Sequence, residues 1–267
     1  LALGETALAL SAFEKAGVEL APYRQHLELL VEQVRNEAPE NHAESQLEAL
    51  RRILVIEHKY QGDDDYEEDP RSNNIMEVID RKRGSPLALG VLYLHVARSL
   101  GWAMTGLDLC GHFLLRLSAQ DGQVIIDPFR SGQTCQIEEA SDILFDEEDE
   151  AEVDLMETLA ETSPLDLSSD VLKPLSTRAL LLRLQHAVKK RLLDQNRVDT
   201  AIKTLQGMIL FAPRGQDLWK ELGYLQAERG HLRAAINALE VVKDLAADPL
   251  PQQQTDVVLR ELRWRLN

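Results

Sequence analysis

The sequence predicts an α+β fold: helices wrapped on a small antiparallel sheet, followed by an all-α repeat module. Three observations carry this. An apolar helix over residues 85–101 runs straight into three short strands, a strongly acidic stretch over 142–170 divides the chain, and the last part repeats at thirty-four residues.

Residues 5 to 60 read as three helices. Ala21–Arg35 sets Leu27, Leu30, Val31 and Val34 at helical spacing, and His42–His58 does the same with Leu47, Leu50, Ile53 and Leu54. Gln61–Pro70 is an acidic loop. Its carboxylates lack the alternation and closing Glu of a calcium loop, so it reads as a solvated loop without metal. Ser72–Lys82 is a short helix ending in Arg81-Lys82-Arg83, the basic cluster of the first half. There it complements the helix dipole or holds an anion.

The central stretch follows. Ser85 suits an N-cap and Pro86 the first helical turn, where a missing N–H costs nothing. Leu87, Leu89, Val91, Leu92, Leu94, Val96, Ala97 and Leu100 leave almost no polar face, which predicts burial. Gly101 closes the helix. Strands are expected at Met104–Leu109, Phe113–Leu117 and Gln123–Ile126, with Asp121-Gly122 as the turn between the last two. Phe129–Ser141 reads as a loop over the strand ends.

The acidic stretch keeps enough Leu and Met to dock in places and reads as a linker with short helices. A boundary is expected between Ser163-Pro164 and Lys173-Pro174, giving modules 1–165 and 166–267. In the second, Asn196 aligns with Gly230, Ala201-Ile202 with Ala235-Ile236, and Leu205 with Leu239. Trp219-x-x-Leu222-Gly223, Gly230, Ala235 and Pro213 fit the tetratricopeptide pattern. Two such repeats bury no full core alone and must pack on the first module, another chain or a capping helix such as Gln253–Leu266.

At 267 residues the chain buries a substantial core. A net charge of −16 argues against nucleic acid and against anionic membrane surfaces. Cys110 and Cys135 make no disulfide framework, which suits a reducing cytoplasm. No apolar run approaches the roughly eighteen residues of a membrane span. The opening LALGETALALSAF is too short and acidic for a signal peptide.

A helix start, then His112 at one strand and Asp127 at the end of the next, is the order of papain-like and transglutaminase-like folds. Their chemistry needs a Cys at the helix N-terminus, where the thiolate is stabilised, an imidazole to move the proton, and a carboxylate to fix its tautomer. The run RKRGSPLALGVLYLHVARSLG, then GHFLLRL, then IIDPF resembles the bacterial SirB family, from about Leu10 to the C-terminus. Members of that family join a transglutaminase-like domain to tetratricopeptide repeats. The resemblance implies that the expected nucleophile position, fifteen residues before Gly101, is Pro86. Proline supplies neither a nucleophile nor a backbone N–H for an oxyanion hole. Family members commonly carry proline there. Cys110 is a departure, since the family more often has proline before Gly-His.

His112 and Asp127 are therefore expected as a vestigial pair, with Arg81, Arg83, Pro86 and Arg116 as binding residues. Cys110 is the alternative nucleophile: residues i and i+2 of a strand share a face, so it neighbours His112. Against it, Cys110 lacks the helix dipole, and free Cys is a common small core residue. Ser85 sits one residue before the nucleophile position with the geometry of a cap. His95 is expected as a core histidine. The expectation is a cytoplasmic, cofactor-free, non-catalytic adaptor that holds an unidentified protein or peptide in a degenerate cleft and a repeat groove. The alternative is a cysteine-type hydrolase or acyltransferase using Cys110, His112 and Asp127.

Overall fold

A computed structural model of the protein describes residues 2–15, 17–37, 42–109, 112–135, 173–245 and 249–266. Cys110, the acidic stretch 142–170 and the expected boundary at Ser163-Pro164 lie outside the described residues.

Helices α1 (Leu3–Ala12), α2 (Ala21–Glu37) and α3 (Ala43–Leu50) form the N-terminal layer. A π-type turn over Arg51–Glu57 extends α3 and ends with the His58 N–H on the Ile53 carbonyl. The helical residues expected from spacing are the buried ones: Leu27, Leu30, Val31 and Val34 on α2, and Leu47, Leu50, Ile53 and Leu54 beyond it. His42 gives α3 no side-chain cap. The Asp121 carboxylate, from a distant hairpin, instead accepts the Ala43 N–H at 2.9 Å. This bond ties the helical layer to the sheet.

A two-residue parallel ladder pairs β1 (Gln61–Gly62) with β2 (Arg83–Gly84). Between them lie a 3-10 turn (Pro70–Asn73) and α4 (Ile75–Arg81). Asn74 caps α4 by accepting the Met76 and Glu77 N–H groups, and Ser11 Oγ of α1 accepts the Ile75 N–H at 3.0 Å.

Helix α5 (Pro86–Ser99) is the buried axle of the first module. Its N-cap is Ser85, whose Oγ accepts the Ala88 N–H at 3.1 Å. Gly101 follows at φ +76°. Against α5 lies one antiparallel sheet of β3 (Ala103–Leu109), β4 (His112–Ala119), β5 (Gly122–Asp127), β6 (Gln133–Thr134) and β7 (Lys173–Leu175), in the order β6-β5-β4-β3-β7. Ala119 pairs with Gly122, so Gln120-Asp121 is the loop and Gly122 already belongs to the strand. Phe113, Leu115, Leu117, Ile126 and Met104 join the large core with α5. The Phe113 ring lies where only glycine lets α5 approach: a Cβ on Gly90 would sit 2.1 Å from it. The opposite face carries a smaller cluster of Leu107, Leu109, Leu114 and Ile125, with Cys135 against it.

The fifth strand comes from beyond residue 166, pairing with β3 at Gly106–Asp108. It leads into α6 (Thr177–Asp194), capped by Ser176. Leu180, Leu181 and Leu184 of α6 belong to the first module's core, while Val188 and Leu192 pack on Ala201. One helix thus contributes to two hydrophobic clusters.

Helices α7 (Val198–Phe211), α8 (Gln216–Glu228), α9 (Leu232–Leu245) and α10 (Pro249–Leu266) follow. The bounds of α9 are those of α7 shifted by thirty-four residues. The turns match too: Asn196 and Gly230 both have left-handed φ, at +57° and +79°. The next N–H, from Arg197 or His231, reaches the carbonyl five residues back, on Leu192 or Gln226. Gly223 lies against Leu239, where a Cβ would come within 2.7 Å. Helix α10 closes this body through Leu259 and Leu262.

Candidate functional site

A cleft of about 280 Å³ opens where the start of α5 meets the start of β4 and the end of β5. Ser85, Pro86, Leu87, Leu109, His112, Leu114, Asp127 and Phe129 line it, together with Asn73, Tyr66 and three arginines, Arg130, Arg183 and Arg191.

At the position expected for a nucleophile, Pro86 presents an apolar ring with no N–H. The first-turn donors of α5 are almost fully used: Ala88 bonds Ser85 Oγ and Leu89 bonds the Ser85 carbonyl. That leaves the Leu87 N–H, at the cleft wall. Ser85 is equally committed, because its hydroxyl donates to Asn73 Oδ1 at 2.7 Å while accepting from Ala88. It is 2 % exposed and, among the described residues, no hydrogen bond joins it to a base, so it is a cap.

His112 and Asp127 reach the same cleft. The pairing of Leu115 with Ile126 sets Asp127 beside Leu114, one pleat from His112. Asp127, however, is turned onto its own chain. Its Oδ1 accepts the Phe129 N–H at 2.8 Å and the Arg130 N–H at 3.2 Å, and Oδ2 lies 3.7 Å from Arg130 Nε. No hydrogen bond joins it to His112 among the described residues. Cys110 falls between β3 and β4, outside the described residues.

The expected basic residues take other places. Arg81 is held 2.8 Å from Asp63 and 3.2 Å from Asp69. Asp63, only 3 % exposed, also accepts from Ser72 Oγ, while Asp64, Asp65, Glu67 and Glu68 of the same loop stay exposed, so the loop is solvated apart from that one carboxylate. That carboxylate braces the floor under Asn73 and Ser85. Lys82, at φ +60°, turns the other way, toward Tyr60 Oη at 3.2 Å and His26 Nε2 at 3.3 Å. Burial, and then the Lys82 charge, hold His26 down to about 4. Arg83 is exposed and faces Gln61. Arg116 sits four residues along β4 from His112, about 13 Å at the usual strand rise. Neither Arg81, Arg83 nor Arg116 lines the cleft, so the shared anion expected of Arg81 and Arg83 has no geometric basis there.

The sequence reading missed Arg130, Arg183 and Arg191. Arg183, Ala187 and Arg191 stand at i, i+4 and i+8 on α6, one face of a helix, and all three line the cleft. That spacing was readable; its direction toward β4 was not, because it depends on the docking of β7. Arg183 forms an ion pair with Asp108 at 2.6 Å, and Arg191 Nη1 lies 3.8 Å from Asp194. Arg191 Nε is buried and has no hydrogen-bond partner among the described residues. Among the described residues no group of three His, Cys, Asp or Glu side chains is arranged to hold a metal, and no helix is long and apolar enough to cross a membrane.

A buried helix whose N-terminus abuts a His-bearing strand of an antiparallel sheet defines an α+β class. Residues 21–186 match the transglutaminase-like superfamily, and the chain belongs to it. It is similar to UPF0162 proteins of Xylella fastidiosa strain Temecula1, at 27 % identity over 90 % of this chain and 82 % of the relative. A UPF0162 protein of Pseudomonas aeruginosa is 26 % identical over 98 % of this chain and 91 % of its own length. One from Vibrio cholerae is 29 % identical over 48 % of this chain and 46 % of the relative. No solved structure matches the chain significantly.

Proposed function

We propose that the protein is a non-catalytic adaptor of the SirB type, holding a peptide or protein partner in the cytoplasm. The observation that carries this reading is Pro86 at the start of α5, in the cleft that His112 and Asp127 also line. Among the described residues the site keeps a shaped hollow with apolar walls, and a proline stands at the helix start where the attacking group is expected. The commitment of Asp127 to its own turn and of Ser85 to its cap supports the same reading.

The C-terminal hairpins are tetratricopeptide repeats in this reading, supported by the thirty-four-residue offset of α7 and α9 and by the paired left-handed turns at Asn196 and Gly230. Stacked helical hairpins offer a groove to an extended or helical segment, and the cleft offers a second contact on the same partner.

The test is a random-peptide library incubated with the full chain, the retained fraction being weighed by mass spectrometry. A binder returns peptides of unchanged mass, and Leu114→Arg, which fills the cleft, lowers their retention. Shortened peptides, or an acyl adduct on the chain, would instead establish a hydrolase or acyltransferase.

A further inference from the structure

We propose that Lys82 is a nucleophilic amine that captures a small neutral carbonyl compound as an imine, in a hollow between α2 and the end of α4. The hollow measures about 520 Å³, and both Lys82 and His26 line it. Lys82 Nζ stands 3.3 Å from His26 Nε2 and 3.2 Å from Tyr60 Oη, and those two atoms are 2.7 Å apart. The same nitrogen lies 4.6 Å from the centre of the Tyr60 ring. Among the described residues no carboxylate pairs with it, whereas Lys15, Lys189 and Lys243 are paired with Glu77, Glu221 and Asp256. An imidazole, a phenol and a ring face stabilise an ammonium less than a carboxylate does. Burial accordingly pulls the Lys82 amine below the ordinary lysine range, opposed by the Asp80 charge. Burial also keeps His26 neutral and holds the Tyr60 proton in place. The other polar groups around the amine are fixed. Asp80 accepts from Tyr23 Oη at 2.9 Å, and His58, stacked near Tyr60, is tied to Gln33 Oε1 at 2.7 Å.

The chemistry needs only these groups. The lone pair of neutral Lys82 Nζ attacks the carbonyl carbon, a C–N bond forms, and one N–H proton passes to the carbonyl oxygen. The resulting hydroxyl leaves as water with the second N–H proton, and a C=N bond remains. Amine and carbonyl thus give imine and water, with no oxidant or reductant. His26 Nε2 holds a proton in transit and Tyr60 Oη lends one, each within reach of the amine. The walls select the carbonyl. Val18, Pro22 and Ile79 are apolar, so a short apolar tail fits beside the reacting carbon. Glu19 and Asp80 bring two carboxylates to the hollow, which repel a keto acid and favour a protonated imine. Capture of this kind requires no turnover and lies apart from the cleft, which neither His26 nor Lys82 lines.

The experiment is reductive trapping on the full chain. Butanal and sodium cyanoborohydride are added at neutral pH, and the digested protein is mapped by mass spectrometry. Lys59 is the internal control, because it shares the left-handed backbone of Lys82, at φ +59° against +60°, but is exposed. The butyl adduct is expected to form on Lys82 on the order of tenfold faster than on Lys59, since imine formation follows the neutral fraction of the amine. Asp80→Asn keeps an acceptor for Tyr23 but removes the charge that opposes the neutral amine. It should raise the Lys82 rate further and leave Lys59 unchanged. The wild-type ratio decides the matter even where that variant fails to fold. Equal rates at the two lysines, or adducts confined to exposed lysines, overturn the proposal and leave Lys82 a packing residue. Faster trapping of pyruvate than of butanal on Lys82 overturns the neutral carbonyl in favour of a keto acid. The peptide library reads the cleft separately.

Discussion

Asp127 Oδ1 accepts the backbone N–H of Phe129 at 2.8 Å, so the carboxylate that would steer a catalytic imidazole instead shapes a turn. An amide oxygen serves that turn equally well. Asp127→Asn is therefore expected to cost under about 1 kcal/mol in urea unfolding, while Asp127→Ala costs about 1–2 kcal/mol.

Beneath the cleft, Arg81 neutralises a carboxylate that is 3 % exposed, that of Asp63. Arg81→Met leaves this charge buried and unpaired, and the expected loss is about 3–5 kcal/mol. Replacing both residues by apolar ones of similar shape should recover much of it, as a double-mutant cycle on thermal or urea unfolding would show.

Gly90→Ala tests the packing of α5 on the sheet. Its Cβ would lie 2.1 Å from the Phe113 ring, in a helix that otherwise welcomes alanine. The helix gains up to about 1 kcal/mol of propensity, and overpacking costs about 1–3 kcal/mol or more. Net destabilisation in urea is expected, with relief in the double variant that also shortens Phe113 to Leu.

Which features the sequence discloses follows from their range. Ser85-Pro86 and Gly101 bound α5 through contacts within a turn, and the hairpin at Gly122 depends on a neighbouring pair, so both were legible. The repeat was legible because its period is written twice. Strand β7 was not: three residues paired with β3 across a long stretch of chain leave no periodic trace. The cleft arginines depend on that pairing, since β7 aims α6. Arg81 and Arg83 misled for the same reason. Their spacing announces a basic cluster, but Asp63, buried from a distant turn, claims Arg81.

Stability should depend on pH through two groups of opposite sense. Burial, opposed by the Asn74 hydrogen bond and the Arg197 charge, pushes the Glu14 carboxyl from 4.5 up to about 7. The folded state then holds this proton more tightly, so the contribution is full below pH 4.5 and is lost as pH rises through about 7. Burial lowers His26 from 6.5 to about 4, so its contribution stands above pH 6.5 and is lost as pH falls through about 4. Glu14→Gln is expected to stabilise the protein by on the order of 2 kcal/mol at pH 8 and hardly at all at pH 4, read from thermal unfolding.

The central claim, that the cleft binds without catalysing, is tested most directly by alkylating Cys110 and Cys135 in the folded protein. Rates would be followed by mass spectrometry from about pH 5 to 9, in the wild type and in His112→Ala. Without a catalytic thiolate, both cysteines should react as ordinary thiols titrating near or above pH ~8.5, with no dependence on His112. Rapid alkylation of Cys110 at pH ~5–6 that slows in His112→Ala would contradict the account and make this chain a cysteine enzyme with a displaced nucleophile.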